Sequence, residues 1–295
     1  MSAPSGDTAY GRAGIARLQV LAAAVLFSTG GAGIKVEAFN AAQVSMVRSG
    51  IAAVALLLWA RGRLVRSPAA IGAGLIYAAA LTLFVASTKL TTAANAIFLQ
   101  ATAPLYVLVL APWLLRERFE RRDLWYLTAV AAGMVFCFAG QPGRSATAPN
   151  PALGNLLGLA CGVVWALTLL SLRYVGRDHG RAGGIAAVVA GNAFAFMGAL
   201  PAAWPLPSAP AGEWATLVYL GVFQIGLAYV FLTNAVSHLP ALEVSLLLLL
   251  EPVLNPVWTW IVRGEDPGVW TIVGGVVIVA ATAGKAMFDA RSRSV

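Results

Sequence analysis

Two ionisable side chains stand inside otherwise apolar runs: Arg48, near the middle of residues 41–59, and Glu251, within residues 242–262, which also hold Glu243. A charge at the centre of a bilayer costs at least ~2.5–3.5 kcal/mol on insertion scales unless it finds water or a partner. Arg48 and Glu251 therefore have two readings. In one they gate a path or recognise charge on a solute. In the other Arg48 anchors its helix by capping carbonyls and Glu251 is a satisfied structural carboxylate. Proton coupling through Glu251 is compatible with the same position. Hydrolytic or group-transfer chemistry has little to work with. The two histidines, His179 and His238, have no HExxH spacing, and no GxxxxGK loop exists to hold a nucleotide. Cys137 and Cys161 both lie in apolar runs, where a thiol serves as small packing. The expectation is a protein that is not an enzyme and carries no cofactor or metal.

Backbone acceptors are a second source of chemistry. Pro104 and Pro112 interrupt the fourth apolar run, and Pro252 and Pro256 the ninth. Proline has no amide hydrogen, so carbonyls four residues earlier, including those of Gln100 and Leu248, lose their helical donor. Such groups need water, protein or a solute. Polar and aromatic side chains inside the runs supply a candidate lining: Tyr77, Asn95, Phe98, Gln100, Thr102, Tyr106, Trp165, Asn192, Gln224, Tyr229, Asn234 and Asn255. The predicted site lies near the midplane between the fourth and ninth runs, with aromatic walls from the third, sixth and eighth. Within it Tyr77, Asn95, Phe98, Gln100, Thr102, Tyr106, Trp165, Gln224 and Tyr229 are the substrate-binding candidates. Arg48, Pro104, Glu251, Pro252 and Asn255 are the structural or gating ones. Gly154, Gly158 and Gly162 share a helical face and are read as close-packing positions.

The elements that position these residues follow from composition. Of 295 residues 59% are hydrophobic and 11% charged, with mean hydropathy +0.79, whereas a soluble domain carries roughly 25% charged residues. Apolar runs long enough to cross ~30 Å of hydrocarbon number ten, at about 18–34, 41–59, 67–88, 90–115, 124–143, 145–172, 182–212, 214–237, 242–262 and 267–284. With a cytoplasmic N-terminus, fifteen of the twenty Lys and Arg residues fall on the inside, four outside, and Arg48 within a span. Positive charge is retained on the cytoplasmic side, so both termini are expected there. The net charge of +8 is then topology, and no nucleic acid is expected as a partner. The expected partners are a small-molecule solute and the lipid bilayer, with oligomeric state left open.

The chain also repeats itself. Pro104 stands thirteen residues before Glu117, and Pro252 thirteen before Glu265, an offset of 148; Phe27 precedes Lys35 by eight, and Trp165 precedes Arg173 by eight, an offset of 138. Five spans per half is an odd number, so like-folded halves must insert in opposite senses. The predicted fold is all-α integral membrane, with ten transmembrane helices as two five-helix inverted-topology repeats. Ala103 is the repeat counterpart of Glu251, so symmetry assigns Glu251 no role.

On these features the sequence resembles the drug/metabolite transporter superfamily, in its ten-helix branch with a duplicated EamA domain. The features are the openings at 21–35 and 159–173, Arg48, and the Pro104…Glu117 and Pro252…Glu265 segments. Within that branch it is similar to the YddG-type amino-acid exporters. The division this suggests is a cytoplasmic tail at 1–15, a first EamA repeat at 16–143, an external linker at 144–151, a second repeat at 152–287 and a cytoplasmic tail at 288–295. The resemblance implies a secondary transporter in a bacterial-type inner membrane, exporting amino acids, aromatic ones included, and related metabolites by alternating access. A permease for another metabolite or drug, and a channel or membrane scaffold, are the alternatives. Residues 18–34 hold no acid, so the proton/drug carboxylate of small multidrug exporters has no counterpart there.

Overall fold

The computed structural model describes residues 6–62, 64–65, 67–103, 105–106, 110, 124–139, 143–235 and 247–293, without the side chains of 6–13, 173, 177, 286 and 288–293. Its elements are helical: α1 (Gly6–Ser28), α2 (Gly30–Ile34), α3 (Ala41–Trp59), α4 (Pro68–Leu90), α5 (Ala93–Gln100), α6 (Leu124–Ala139) and α7 (Pro151–Ala203). After α7 come α8 (Ala211–Tyr219), a π-helical stretch (Leu220–Leu227), α9 (Ala228–Ala235), α10 (Leu250–Arg263) and α11 (Val269–Arg293). Residues long and apolar enough to cross a membrane include Gly14–Ile34, Ala41–Trp59, Pro68–Leu90, Pro151–Gly176, Asp178–Ala203 and Ala211–Ala235, with shorter apolar helices at Leu124–Ala139 and Val269–Lys285. The chain is an all-helical integral membrane protein.

Local chemistry sets the breaks. Asn40 starts α3 with a reciprocal capping box to Gln43, Thr92 caps α5 by accepting from the Asn95 amide, and Asn150 caps α7 ahead of Pro151. Each supplies an acceptor to an amide that has no partner in the first helical turn. Gly264 ends α10 in a left-handed conformation, φ 63°, which glycine adopts without steric cost. Gly180, φ 56° and ψ −153°, breaks α7 into two arms. The prolines of 200–210 predict a break there; α7 continues through Pro201 to Ala203, and the break falls at 204–210. Helix also extends beyond the apolar runs: α1 begins at Gly6 and α11 continues to Arg293, into the segments read from hydropathy as tails. Hydropathy marks where the bilayer ends, whereas a helix continues wherever nothing breaks its hydrogen bonds.

Packing follows the periodicity of each helix. On α4, Ala70, Ala73, Tyr77, Ala80 and Leu81 are buried, while Ile71 and Leu75 face outward at 53% and 61% exposure. The spacing is that of one helical face, and outward apolar side chains suit a lipid solvent. The small inner face lets α4 lie close against α7: a Cβ on Gly74 would meet the Ala187 carbonyl at 2.9 Å, and one on Gly191 the Gly74 carbonyl at 2.8 Å. The predicted glycine face behaves alike, with Gly154 against Thr91, Gly158 against Ser87 and Leu99, and Gly162 against the Leu99 carbonyl.

The inverted relation of the halves is visible at the end of the bundle away from the chain termini. The first span ends there at Lys35, whose ammonium meets Glu265, at the end of the ninth span's region, at 2.7 Å. Glu265 in turn accepts from the Ala93 amide, at the start of the fourth span, and the Asn150 amide, at the start of the sixth, donates to the Leu90 carbonyl at 3.1 Å. Thus the first span ends where its counterpart, the sixth, begins. The fourth begins where its counterpart, the ninth, ends.

Candidate functional site

Between the halves lies a cavity of about 260 Å³, near the lower end of ordinary small-molecule sites. Its aromatic wall comes from four different helices. Tyr77 on α4 meets Tyr229 on α9 edge-on, centroids 5.5 Å apart, Phe27 on α1 meets Tyr229 at 5.3 Å, and Trp165 on α7 lies 6.3 Å from Tyr77. Edge-to-face pairs at these distances are favourable beyond their area, so the rings hold one another as a preformed surface.

Polar groups interrupt this wall at few places. Arg48 lines it from α3 at 1% exposure, its Nη2 donating to the Leu81 carbonyl at 3.4 Å while its Nε has no partner. Gln100, the last residue of α5, accepts a weak bond from the Cys161 thiol at 3.5 Å. Gln224 lies in the π-helical stretch, its Oε1 unpartnered, in the space left by Gly30. Glu251 and Pro252, in the first turn of α10, complete the lining. Among the described residues Arg48 and Glu251 form no ion pair with each other.

Of the sequence candidates, the cavity therefore gathers Tyr77, Gln100, Trp165, Gln224, Tyr229, Arg48, Glu251 and Pro252. The remaining described ones stand in the packing around it. Asn95 donates to the Cys137 carbonyl and to Asn155 Oδ1, both at 3.2 Å. Phe98 packs on Gly275, Thr102 donates to the Leu99 carbonyl at 2.6 Å, and Tyr106 lies against Gly162. Asn255 is fully buried beside Gly31, and Asn192 donates to its own helix at the Val188 carbonyl. Pro104 lies outside the described residues. Apolar wall residues such as Phe84, Ile97 and Ile225 were not singled out by sequence; only their facing on helical wheels distinguishes them from lipid-facing neighbours.

A buried polar network lies at one end of the bundle. Lys35, with Glu265, sits in a buried network: the ammonium also donates to the Thr91 carbonyl at 2.6 Å and to the Thr147 carbonyl. Around it the Lys89 ammonium donates to the Val36 carbonyl, Arg263 Nε to the Ala32 carbonyl at 3.1 Å, and the Glu213 carboxylate accepts from the Ala38 amide at 2.9 Å. Burial works against the charged form of Lys35 and lowers its pKa, with the Glu265 carboxylate opposing that shift. In the other direction the cavity extends past Trp165 to Leu169 and Leu172, and past Tyr229 to Leu232. At 1.5 Å rise per residue, these lie progressively nearer the end that holds the termini.

The comparisons with known proteins agree with this architecture. A solved crystal structure superposes with a TM-score of 0.59 over 94% of this chain and 98% of its own, at 20% identity, which establishes likeness of fold. The pseudopaline exporters CntI of two strains of Pseudomonas aeruginosa are 30% identical over 190 residues. That alignment spans 64% of this chain and 64% of each relative, just under two thirds of their length. The profile of the EamA-like transporter family matches residues 14–139 and again 152–285. The chain thus belongs to the EamA-like transporter family, a family of membrane transporters and not of enzymes.

Proposed function

We propose that the protein exports amino acids, aromatic ones included, and related small metabolites across the cytoplasmic membrane by alternating access, with both termini in the cytoplasm. The observation that carries this reading is the cavity: an aromatic wall of Tyr77, Trp165 and Tyr229 interrupted by the amides of Gln100 and Gln224 and by single charges of each sign. Such a lining accepts an apolar side chain by contact and stacking while a few polar groups fix the polar end. Broad specificity follows, because the apolar contact is not shaped to one side chain. The buried Lys35–Glu265 network at one end of the bundle and a lining that reaches toward the other end suit the loading state of an exporter. The asymmetry of the cations along the sequence supports termini on the inside.

Purified protein in liposomes preloaded with radiolabelled phenylalanine is expected to give saturable efflux that unlabelled amino acids accelerate by exchange. Efflux no faster than from protein-free vesicles would exclude the reading. The name of the relatives favours a second reading, in which pseudopaline or a compound like it is the solute. The same vesicles loaded with pseudopaline separate the two.

A further inference from the structure

We propose that Arg48 and Glu251 are the two charge-recognising residues of the cavity, Arg48 taking a carboxylate and Glu251 an ammonium, so that the preferred solute carries both. This rests on the transport reading above and deepens it. Arg48 is a guanidinium at 1% exposure that faces the cavity, holds one long hydrogen bond to a backbone carbonyl and keeps its Nε unpartnered. A guanidinium used as a structural anchor spends its donors on carbonyls or a carboxylate. Here Nη2 makes a long bond to the Leu81 carbonyl while Nε makes none, and among the described residues no acid lies within ion-pair distance. Its planar donors match a carboxylate in two-point geometry. The unpartnered Nε beside the cavity thus suits an anion.

Glu251 supplies the opposite sign from another wall. It lines the same cavity from the first turn of α10, likewise without an ion pair among the described residues. The two groups share the cavity without neutralising each other. A solute with one charge would pair one residue and leave the other buried and unpaired; a zwitterion pairs both. Discrimination arises from the penalty on the unpaired group as well as from the attraction. Tyr77, Trp165 and Tyr229 remain for the apolar body, and Gln224 Oε1 offers a further acceptor to the ammonium. Recognition of charge and tolerance of side chain are therefore assigned to different residues.

The test uses the full-length protein in liposomes and three matched solutes: phenylalanine, phenylalaninamide, which lacks the carboxylate, and 3-phenylpropionate, which lacks the ammonium. Wild-type protein is expected to prefer phenylalanine at least tenfold in kcat/KM over both. Arg48→Gln should lose the preference over the amide while keeping that over 3-phenylpropionate; Glu251→Gln should do the reverse. Arg48→Lys should retain part of the preference, which a purely structural arginine would not predict. If Arg48→Gln does not survive purification, Arg48→Lys and Glu251→Gln still decide the matter. Equal flux of all three solutes through the wild type, or variants that lower all three alike, would overturn charge recognition and leave amino-acid export standing. A wild type that moves neither phenylalanine nor any other zwitterionic amino acid would overturn both.

Discussion

Trp165 illustrates how much one side chain carries here. It reaches the cavity from the first arm of α7 and holds the tilted contact with Tyr77. Trp165→Ala is expected to raise KM for phenylalanine about tenfold, the equivalent of roughly 1.4 kcal/mol, and to raise it less for threonine. Leu75→Ala, at a lipid-facing position 61% exposed, should leave both unchanged in the same efflux assay. Aromatic residues of this kind were legible because they stand alone in apolar runs. Asn95, Thr102 and Tyr106 show the opposite case. Their spacing places them on one face of a continuous helix, but α5 stops at Gln100 and residues 101–102 form a turn, with the Thr102 amide bonded to the Leu99 carbonyl at 3.3 Å. Counting helical steps across that break carries the face away from the cavity. Asn95 instead holds α5 to α6 and α7. Arg48 was recognisable as costly from sequence, but the poverty of its hydrogen bonding exists only in three dimensions.

At the scale of elements, the contact between α4 and α7 depends on the absence of two side chains. Gly74→Val and Gly191→Val both force a side chain into backbone, with a Cβ only 2.9 Å from the Ala187 carbonyl and 2.8 Å from the Gly74 carbonyl, respectively. Overpacking of this order costs about 1–3 kcal/mol. Each variant should unfold several degrees lower in a detergent melt, while Gly72→Val, whose Cβ meets nothing within 4 Å, should melt like the wild type. Glycine is frequent enough in this chain that sequence alone did not separate Gly74 from Gly72. The π-helical stretch was equally invisible, since periodicity assumes a constant turn. Its wider turn sets Gly221 against Ile51 and the Arg48 carbonyl and turns Gln224 and Ile225 toward the cavity. By contrast, the caps at Asn40, Thr92 and Asn150 and the break at 204–210 rest on local residue chemistry. Of these, the proline-rich break was read from the sequence, because proline cannot donate the helical hydrogen bond, and the caps were not.

For the molecule as a whole, the proposed alternating access requires the Lys35–Glu265 end to open. Four counterpart spans meet at that end through Lys35, Glu265, Ala93 and Asn150, so any rocking of one half against the other must part the Lys35–Glu265 pair. Both side chains are 3% exposed. Removing one partner of a buried pair leaves the other charge uncompensated, at a cost of about 3–5 kcal/mol, and that cost falls on the closed state, where the pair is buried. Lys35→Gln and Glu265→Gln should therefore shift the population toward the state open at that end. With Cys137 and Cys161 replaced by alanine, a reporter cysteine at Ala80 in the cavity wall can be labelled by a membrane-impermeant maleimide added outside intact cells. Labelling should accelerate at least tenfold in either variant over the parent. A double variant with apolar residues at both positions, which leaves no orphaned charge, should return much of the way. Labelling unchanged in both single variants would show that the pair does not hold this end closed; acceleration only from the cytoplasmic side of inverted vesicles would reverse the assigned orientation.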